Sequence, residues 1–408
     1  MKQNYFMGLI ACAAITMTGC SNDEINAPQQ SQGNNAIEFS TYLGRNAQGS
    51  RGTETNDASI KNEENGGFGV LAYYTEQTNF ANSNKPNFMW NQKVTHNGTN
   101  WEYTPVKYWP TKVGDKVSFF AYAPYVENGK NTVIELSGKS ATGTPTATIT
   151  LPDDPSQTID FVAAVQMNKT HDKGTNVSFT LKHEMTRVKV QAKLDKSVYD
   201  ASDPKHKTFV VIKNVTFNNK GQFYKSGIYT FSTDDSKRGT WAAPETNDLT
   251  YTLNLNGVLN KTKITANSAV SGDYKTGVDG IKLTKKDTPE NLFKTNEYLY
   301  LIPVSADNEN GLTDGKATAT IEYDIVTEDS NLVKGYSCTS ATKTVLLPEG
   351  TLKQGISYNY IFTIKLDEIV LNAEVKGWDE PASDSNINVP YSPDDATKQN
   401  KTESKTQQ

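Results

Sequence analysis

Short alternating segments rich in β-branched and aromatic residues, with almost nothing of helical period, constrain this 408-residue chain most. IEFSTYL (Ile37–Leu43) places Ile37, Phe39 and Leu43 on one face. VSFFAYAP (Val117–Pro124), ATITL (Ala147–Leu151), VSFTLKH (Val177–His183) and RVKVQAKL (Arg187–Leu194) have the same habit. So do FVVIKNVTF (Phe209–Phe217), GIYTFS, EYLYLIPV (Glu297–Val304), ATATIEYDIV (Ala317–Val326), KTVLLP and YNYIFTIKL (Tyr358–Leu366). Gly, Pro, Asn and Asp bound them, so they read as strands. No segment keeps apolar residues three and four apart over a dozen positions. Many short strands with frequent turn signals predict an all-β fold of β-sandwiches, and no short internal repeat points to a propeller or solenoid.

The first residues are not part of that fold. Lys2 supplies a positive start, Phe6–Met17 is mostly apolar but too short to span a bilayer, and MTGC sets small residues before Cys20. That is the processing pattern of an exported lipoprotein, with residues 1–19 as signal peptide and Cys20 as the lipidated N-terminus. Each buried lipid CH₂ contributes about 0.8 kcal/mol, so several acyl chains anchor durably. Residues 21–35 are polar and read as a tether, with the acidic pair Asp23–Glu24 close behind the lipid.

About 390 residues remain, and a sandwich takes roughly 100–200, so two sandwiches are expected, dividing near His183–Thr186. Ser232–Asp248 and Asn256–Asp279 read as surface loops, and Ser392–Gln408 as a disordered tail. Of three cysteines, Cys12 leaves with the signal and Cys20 takes the lipid. Only Cys338 remains, so no internal disulfide can form. The net charge of −5 argues against a nucleic-acid partner.

Motifs for chemistry are missing. The four histidines form no HExxH or close ligand pair, and no GxSxG, P-loop or strand-borne GxGxxG occurs. His183 ends a strand, where a hydrogen-bonded structural role is expected. Asp153–Asp154, Asp234–Asp235 and Asp394–Asp395 read as turn formers, and Asp153–Asp160 lacks an EF-hand pattern. No enzyme activity, cofactor or metal is expected. Trp90, Trp101, Tyr103, Tyr108 and Trp109 cluster in sequence. They read as packing residues, the alternative being an aromatic platform for sugar rings.

YTPVKYWPTKVGDKVSFFAYAPY (Tyr103–Tyr125) resembles a block of the fimbrillin-like lipoproteins of Bacteroidetes-type bacteria. GFGVLAYYT (Gly67–Thr75), DFVAA (Asp160–Ala164), FTLKHEMTRVKVQAKL (Phe179–Leu194), LYLIPV (Leu299–Val304), LKQGISYNYIFTI (Leu352–Ile364) and VKGWDE (Val375–Glu380) follow in the family's order. The resemblance spans Ile37 to Glu380. It implies a subunit of type V pili built of two tandem transthyretin-like β-sandwiches, supporting cell adhesion and biofilm formation. It also implies export to the outer membrane, removal of the N-terminal segment by an arginine-specific protease, and filling of the vacated groove by another subunit's strand.

The expected organisation is therefore a tether with removable first strand at 20–51, sandwiches at 52–184 and 185–380, and a C-terminal extension at 381–408. The removable strand carries Ile37, Phe39 and Leu43. Gly44–Thr53 is polar and Gly-rich, which makes the Arg51–Gly52 bond the expected cut, with Arg45 as second choice. Residues 386–391, with Ile387, Val389 and Tyr391 on one face, are the candidate donor strand. Pro390 removes a backbone donor there, which leans toward a tip or accessory subunit. The alternative reading is an outer-membrane surface lipoprotein that binds glycans and keeps its lipid.

Overall fold

Alternation along the chain becomes alternation of burial. In the stretch from Thr186 to Leu194, Thr186, Val188, Val190, Ala192 and Leu194 are buried and the residues between them are half-buried. A strand exposes successive side chains to opposite faces, so this pattern seats one face on a core. The computed structural model describes residues 35–43, 55–64, 66–130, 133–195, 198, 208–219, 224–242, 252–264, 278–283, 288–294, 298–303, 317–329, 331–333, 335–365 and 368–378.

In chain order the strands are β1 (Glu38–Leu43), β2 (Phe68–Tyr74), β3 (Met89–His96), β4 (Trp101–Glu102), β5 (Val117–Ala123), β6 (Ile134–Leu136), β7 (Thr146–Thr150), β8 (Val162–Lys169), β9 (Asn176–His183), β10 (Thr186–Leu194) and β11 (Thr208–Asn219). They continue as β12 (Ser226–Thr230), β13 (Thr240–Ala242), β14 (Leu253–Asn254), β15 (Thr262–Ile264), β16 (Val278–Leu283), β17 (Glu290–Asn291), β18 (Leu299–Leu301), β19 (Ala317–Glu328), β20 (Tyr336–Leu346), β21 (Ile356–Ile364) and β22 (Ile369–Gly377). One short α-helix, α1 (Asp57–Ile60), is closed by a capping box in which Asn56 and Ser59 exchange side-chain bonds with each other's backbone.

The described residues form four sheets, and the all-β expectation holds. A seven-stranded sheet runs β1-β9-β8-β5-β2-β3-β4. A five-stranded sheet runs β17-β10-β21-β22, with β18 also on β10. A six-stranded sheet runs β15-β16-β11-β19-β20, with β14 also on β11, and a four-stranded one runs β13-β12-β7-β6. The pairs β1–β9 and β10–β21 are parallel. The four-stranded sheet joins β6 and β7 to β12 and β13, so it draws on strands from both sides of the expected 184/185 division.

β2 and β5 are buried almost throughout because their sheet is covered on both faces. Leu71, Tyr73, Phe120 and Tyr122 point into a large core that runs on to Trp378. Phe68, Val70, Ala72, Phe119 and Ala121 point into a separate, smaller core on the other face. A strand covered on both faces reads as a continuous apolar run. The large core runs from Leu71 to Trp378, within the compact unit Ala36–Gln408.

At the turn between β9 and β10, Glu184 is 1% exposed. Its carboxylate accepts from the Gln354 amide and stands 3.8 Å from the Arg238 guanidinium. Next to it His183 Nδ1 lies 2.7 Å from Asp160 Oδ2, and the imidazole stacks on Trp378 with ring centres 3.9 Å apart. The expected structural role of His183 is what these contacts describe.

Two expected loops hold more structure than their polarity suggested. Ser232–Asp248 contains β13, and Asn256–Asp279 contains β15 and the first residues of β16. The reason is visible at Trp241, which is 2% exposed and donates from Nε1 to the Glu184 carbonyl at 2.7 Å. A single large residue can seat a short strand amid polar neighbours. Conversely, β18 is shorter than Glu297–Val304, because its ladder to β10 covers only Leu299–Leu301 against Thr186–Val188. Ser392–Gln408 lies outside the described residues.

Trp241→Ala is expected to lower unfolding free energy by about 3–5 kcal/mol, the range for emptying a buried aromatic site. Urea unfolding of wild type and variant checks this, and a loss below 1 kcal/mol would assign Trp241 to an unpacked surface loop.

Candidate functional site

The candidate site is the place of β1 at the end of the seven-stranded sheet. β1 runs parallel to β9 in continuous register, from Glu38 opposite Asn176 to Leu43 opposite Leu181. Its odd-numbered side chains enter the smaller core. Ile37 is 1%, Phe39 5% and Leu43 3% exposed, so the face read from the sequence is the buried face. Burial of such side chains contributes about 1.5–3 kcal/mol each. The opposite face is wetter, and Tyr42 is half exposed.

Phe39 is the centre of the packing. Its ring meets Phe68 edge-on at 6.2 Å, Phe119 edge-on at 6.0 Å, Tyr103 tilted at 5.2 Å and Phe179 stacked at 5.9 Å. Offset and edge-to-face pairs of this kind add to plain area burial. Four strands of the sheet or its margin thus converge on one side chain of its terminal strand.

A second segment crosses the start of β1. The Ile37 N–H donates to the Lys107 carbonyl at 2.9 Å, and Ala36 forms an isolated antiparallel bridge with Tyr108. Tyr103 Oη donates to the Ile37 carbonyl at 2.8 Å and accepts from the Lys107 N–H at 3.2 Å. Burial pushes the Tyr103 phenol above its ordinary pKa, so it remains a donor at neutral pH. The Glu38 N–H and Trp109 Nε1 both donate to the Thr175 carbonyl, at 3.1 Å each. On the ladder side Asn176 Nδ2 donates to Ser40 Oγ at 3.0 Å. One group is left over: Thr41 Oγ1 is buried without a hydrogen-bond partner among the described residues.

The sequence thus brought Ile37, Phe39 and Leu43 together correctly on one face. It did not single out Ser40, Thr41, Lys107 or Asn176. Thr41 could have been found, since alternation puts it on the same face as Phe39 and Leu43. Cys20, Arg45, Arg51, Gly52, Ile387, Val389 and Tyr391 lie outside the described residues.

The five clustered aromatics share no platform. Trp109 is 3% exposed and meets Phe119 edge-on, Trp101 meets Phe68 edge-on, and Trp90 packs on the larger core with Nε1 on the Ser137 carbonyl. Tyr108 alone among them is more than half exposed. The acidic pairs in the described residues are occupied as turn formers and ion-pair partners. Asp154 accepts from Ser156 N, Asp234 accepts from Ser236 N, Asp153 pairs with Lys225, and Asp235 takes Met167 N and Lys169. Among the described residues no group of three or more His, Cys, Asp and Glu could hold a metal ion, and no helix is long and apolar enough to cross a membrane.

These features define an all-β protein whose sheet ends in a strand joined to the rest by an arginine-bearing connection. The chain belongs to the fimbrillin-like family, whose model matches residues 51–378. Fimbrium subunit Fim1C of Phocaeicola vulgatus is 31% identical over 400 residues, 93% of this chain and 98% of that protein. The crystal structure of a fimbrial protein from Bacteroides vulgatus superposes with a TM-score of 0.70 at 28% identity, covering 85% of this chain and 100% of that one.

Replacing Thr41 by Val keeps shape and removes the stranded hydroxyl, so it is expected to stabilise the uncleaved chain by about 1 kcal/mol. Phe39→Ala is expected to destabilise it by about 3–5 kcal/mol. Urea midpoints of the two variants, moving in opposite directions, check the pair. If both move down, Thr41 has a partner that its apolar surroundings do not reveal.

Proposed function

We propose that this chain is a non-enzymatic structural subunit of a fimbrium that reaches the cell surface as a lipoprotein and assembles with other fimbrial subunits by strand exchange. The carrying observation is β1: a terminal strand with Phe39 and Leu43 buried and Ile37 buried just before it, joined to the next described segment by a connection that holds Arg45 and Arg51. Cys20 anchors the precursor in the outer membrane. An arginine-specific protease cuts between Arg51 and Gly52, with Arg45 as second choice. The lipid, the tether and β1 then form one fragment. Its departure exposes Phe179, Phe68 and Phe119 and the unpaired edge of β9, which a strand from another subunit covers by β-addition.

The two sandwiches, residues 52–184 and 185–380, are proposed to be transthyretin-like and to act as one rigid body through the shared core and the four-stranded sheet. Residues 386–391 are a poor donor strand, because Pro390 between Val389 and Tyr391 lacks a ladder N–H. This favours a tip or accessory position, where a subunit accepts a strand without giving one. Adhesion and biofilm support follow from membership of such a fibre. The dispersed aromatics give no support to the glycan-binding alternative.

Arg51→Ala is expected to leave a folded, monomeric precursor that keeps its lipid. Sheared surface protein from cells carrying the variant, sequenced from its N-terminus, checks this. Fibres of normal subunit length from the variant would move the cut to another bond, Arg45 first. Cys20→Ala is expected to abolish labelling by fatty acid and surface assembly together. Labelling that persists would overturn the lipoprotein reading.

A further inference from the structure

We infer that the segment Tyr103–Trp109 is a polar clasp that sets the register and polarity of any strand filling the groove, and opens last when β1 leaves. The inference rests on the strand-exchange reading and deepens it. It gives a role to the Tyr-x-x-x-x-Tyr-Trp stretch, which packing alone does not explain.

The contacts are lopsided. β9 supports β1 evenly from Glu38 to Leu43. On the outer edge the described backbone bonds fall at the start of the strand: Ile37 N–H to Lys107, Ile37 carbonyl from Tyr103, and the Ala36–Tyr108 bridge. Lys107 N–H to Tyr103 Oη and Trp109 Nε1 to Thr175 tie the clasp to itself and to the neighbouring strand. All of these contacts to β1 use backbone groups, so they accept any side chain but not a residue without an N–H. Phe39 then lies against the Tyr103 ring two residues on.

Three consequences follow. An incoming strand must run parallel to β9, because only then does its start meet the clasp. It must offer a non-proline residue at the Ile37 position and a large apolar one at the Phe39 position. A one-residue slip would put a polar residue on the core face and misplace both clasp bonds. The partner that fits is a β-strand of another subunit with that pattern.

The clasp also gives exchange a direction. A cut at Arg51 frees the Leu43 end, whereas the clasped Ile37 end leads back to Cys20. An invading strand can therefore displace β1 stepwise from Leu43 toward Ile37. A pull from the lipid instead loads the ladder bonds and the clasp together. The strand resists the membrane and yields to a competitor.

The test uses the full mature chain cut after Arg51, with β1 fluorescently labelled, and excess synthetic peptide of residues 35–44 as competitor. Tyr103→Phe keeps the ring and removes Oη. It is expected to speed β1 release about tenfold, the effect of losing bonded partners at one buried carbonyl and one N–H. A competitor N-methylated at Ile37 is expected to bind wild type about tenfold more weakly than the unmodified peptide. N-methylation at Phe39, whose N–H lies on the same outer edge beyond the clasp, is expected to change binding less than twofold, within the scatter of additive effects. The peptide arm needs no variant protein, so it stands even if Tyr103→Phe misfolds. Equal weakening by both methylations, or unchanged release from Tyr103→Phe, overturns the clasp and leaves strand exchange intact. If neither wild type nor variant ever exchanges β1 for peptide, the strand-exchange reading fails and takes the clasp with it.

Discussion

A buried carboxylate holds the two halves of this chain in one body. Glu184 stands at the turn between β9 and β10 with its side chain 1% exposed. An ionised carboxylate removed from water is costly unless charged or polar groups surround it. Here they arrive from distant segments: Gln354 from the approach to β21 and Arg238 from the loop before β13, while Trp241 binds its carbonyl. Arg238 also donates to the His183 carbonyl. His183 in turn faces Asp160 and stacks on Trp378 at the end of β22, and Arg187 lies 4.7 Å over that same indole. With Cys338 the one cysteine in the described residues, this polar knot does the tying that cross-links do in small secreted folds.

The knot also reaches the segment downstream of the proposed cut. Thr55 donates from its backbone N–H to Asp160 Oδ2 at 3.1 Å and from Oγ1 to the Asp160 carbonyl at 2.6 Å. Helix α1 starts two residues later. A chain cut between Arg51 and Gly52 would therefore keep Thr55 bonded to Asp160, which faces His183. The partners of β1 described above are β9, the smaller core and the clasp. The two main cores divide the labour. The larger one joins both halves, and the smaller one is completed by the strand proposed to leave.

Much of the fold was legible because sheets write themselves as period two. β10, β11 and β21 fall within two residues of their alternating segments, and β1 within one. The buried strand β5 was read among the alternating segments, whereas β2 entered only through the family resemblance. What failed did so for local reasons. β20 begins at Tyr336, seven residues before Lys343, because its Ser- and Thr-rich start is exposed on both faces and pairs only through its hairpin with β19. β3 carries Asn91, Gln92 and Lys93 in succession, which dilutes its alternation, whereas β22 alternates from Ile369 to Val375 but was not read as a strand. Pairing partners were out of reach altogether. Nothing in IEFSTYL states that it lies parallel to a strand more than a hundred residues away. At the site, the apolar face was readable because it is one-dimensional. The Tyr103 hydroxyl on Ile37 was not, since it depends on how a segment crosses in space.

The state of the connection between β1 and α1 decides what these modest contacts amount to. While the chain is intact, a β1 that opens stays close to its groove, and reclosure is intramolecular. Covalent linkage raises the effective concentration to on the order of a millimolar, far above what a competing strand reaches in solution. The proposed cut would remove that advantage without breaking one contact of the groove. β1 then competes on its own affinity, handicapped by the stranded Thr41 hydroxyl in an otherwise apolar face. A strand with an aliphatic residue there would fill the same groove without that penalty. On this account the protease does not unfold the subunit. It would change the order of the reaction, and the stranded Thr41 hydroxyl would weaken β1 against a strand that lacks it.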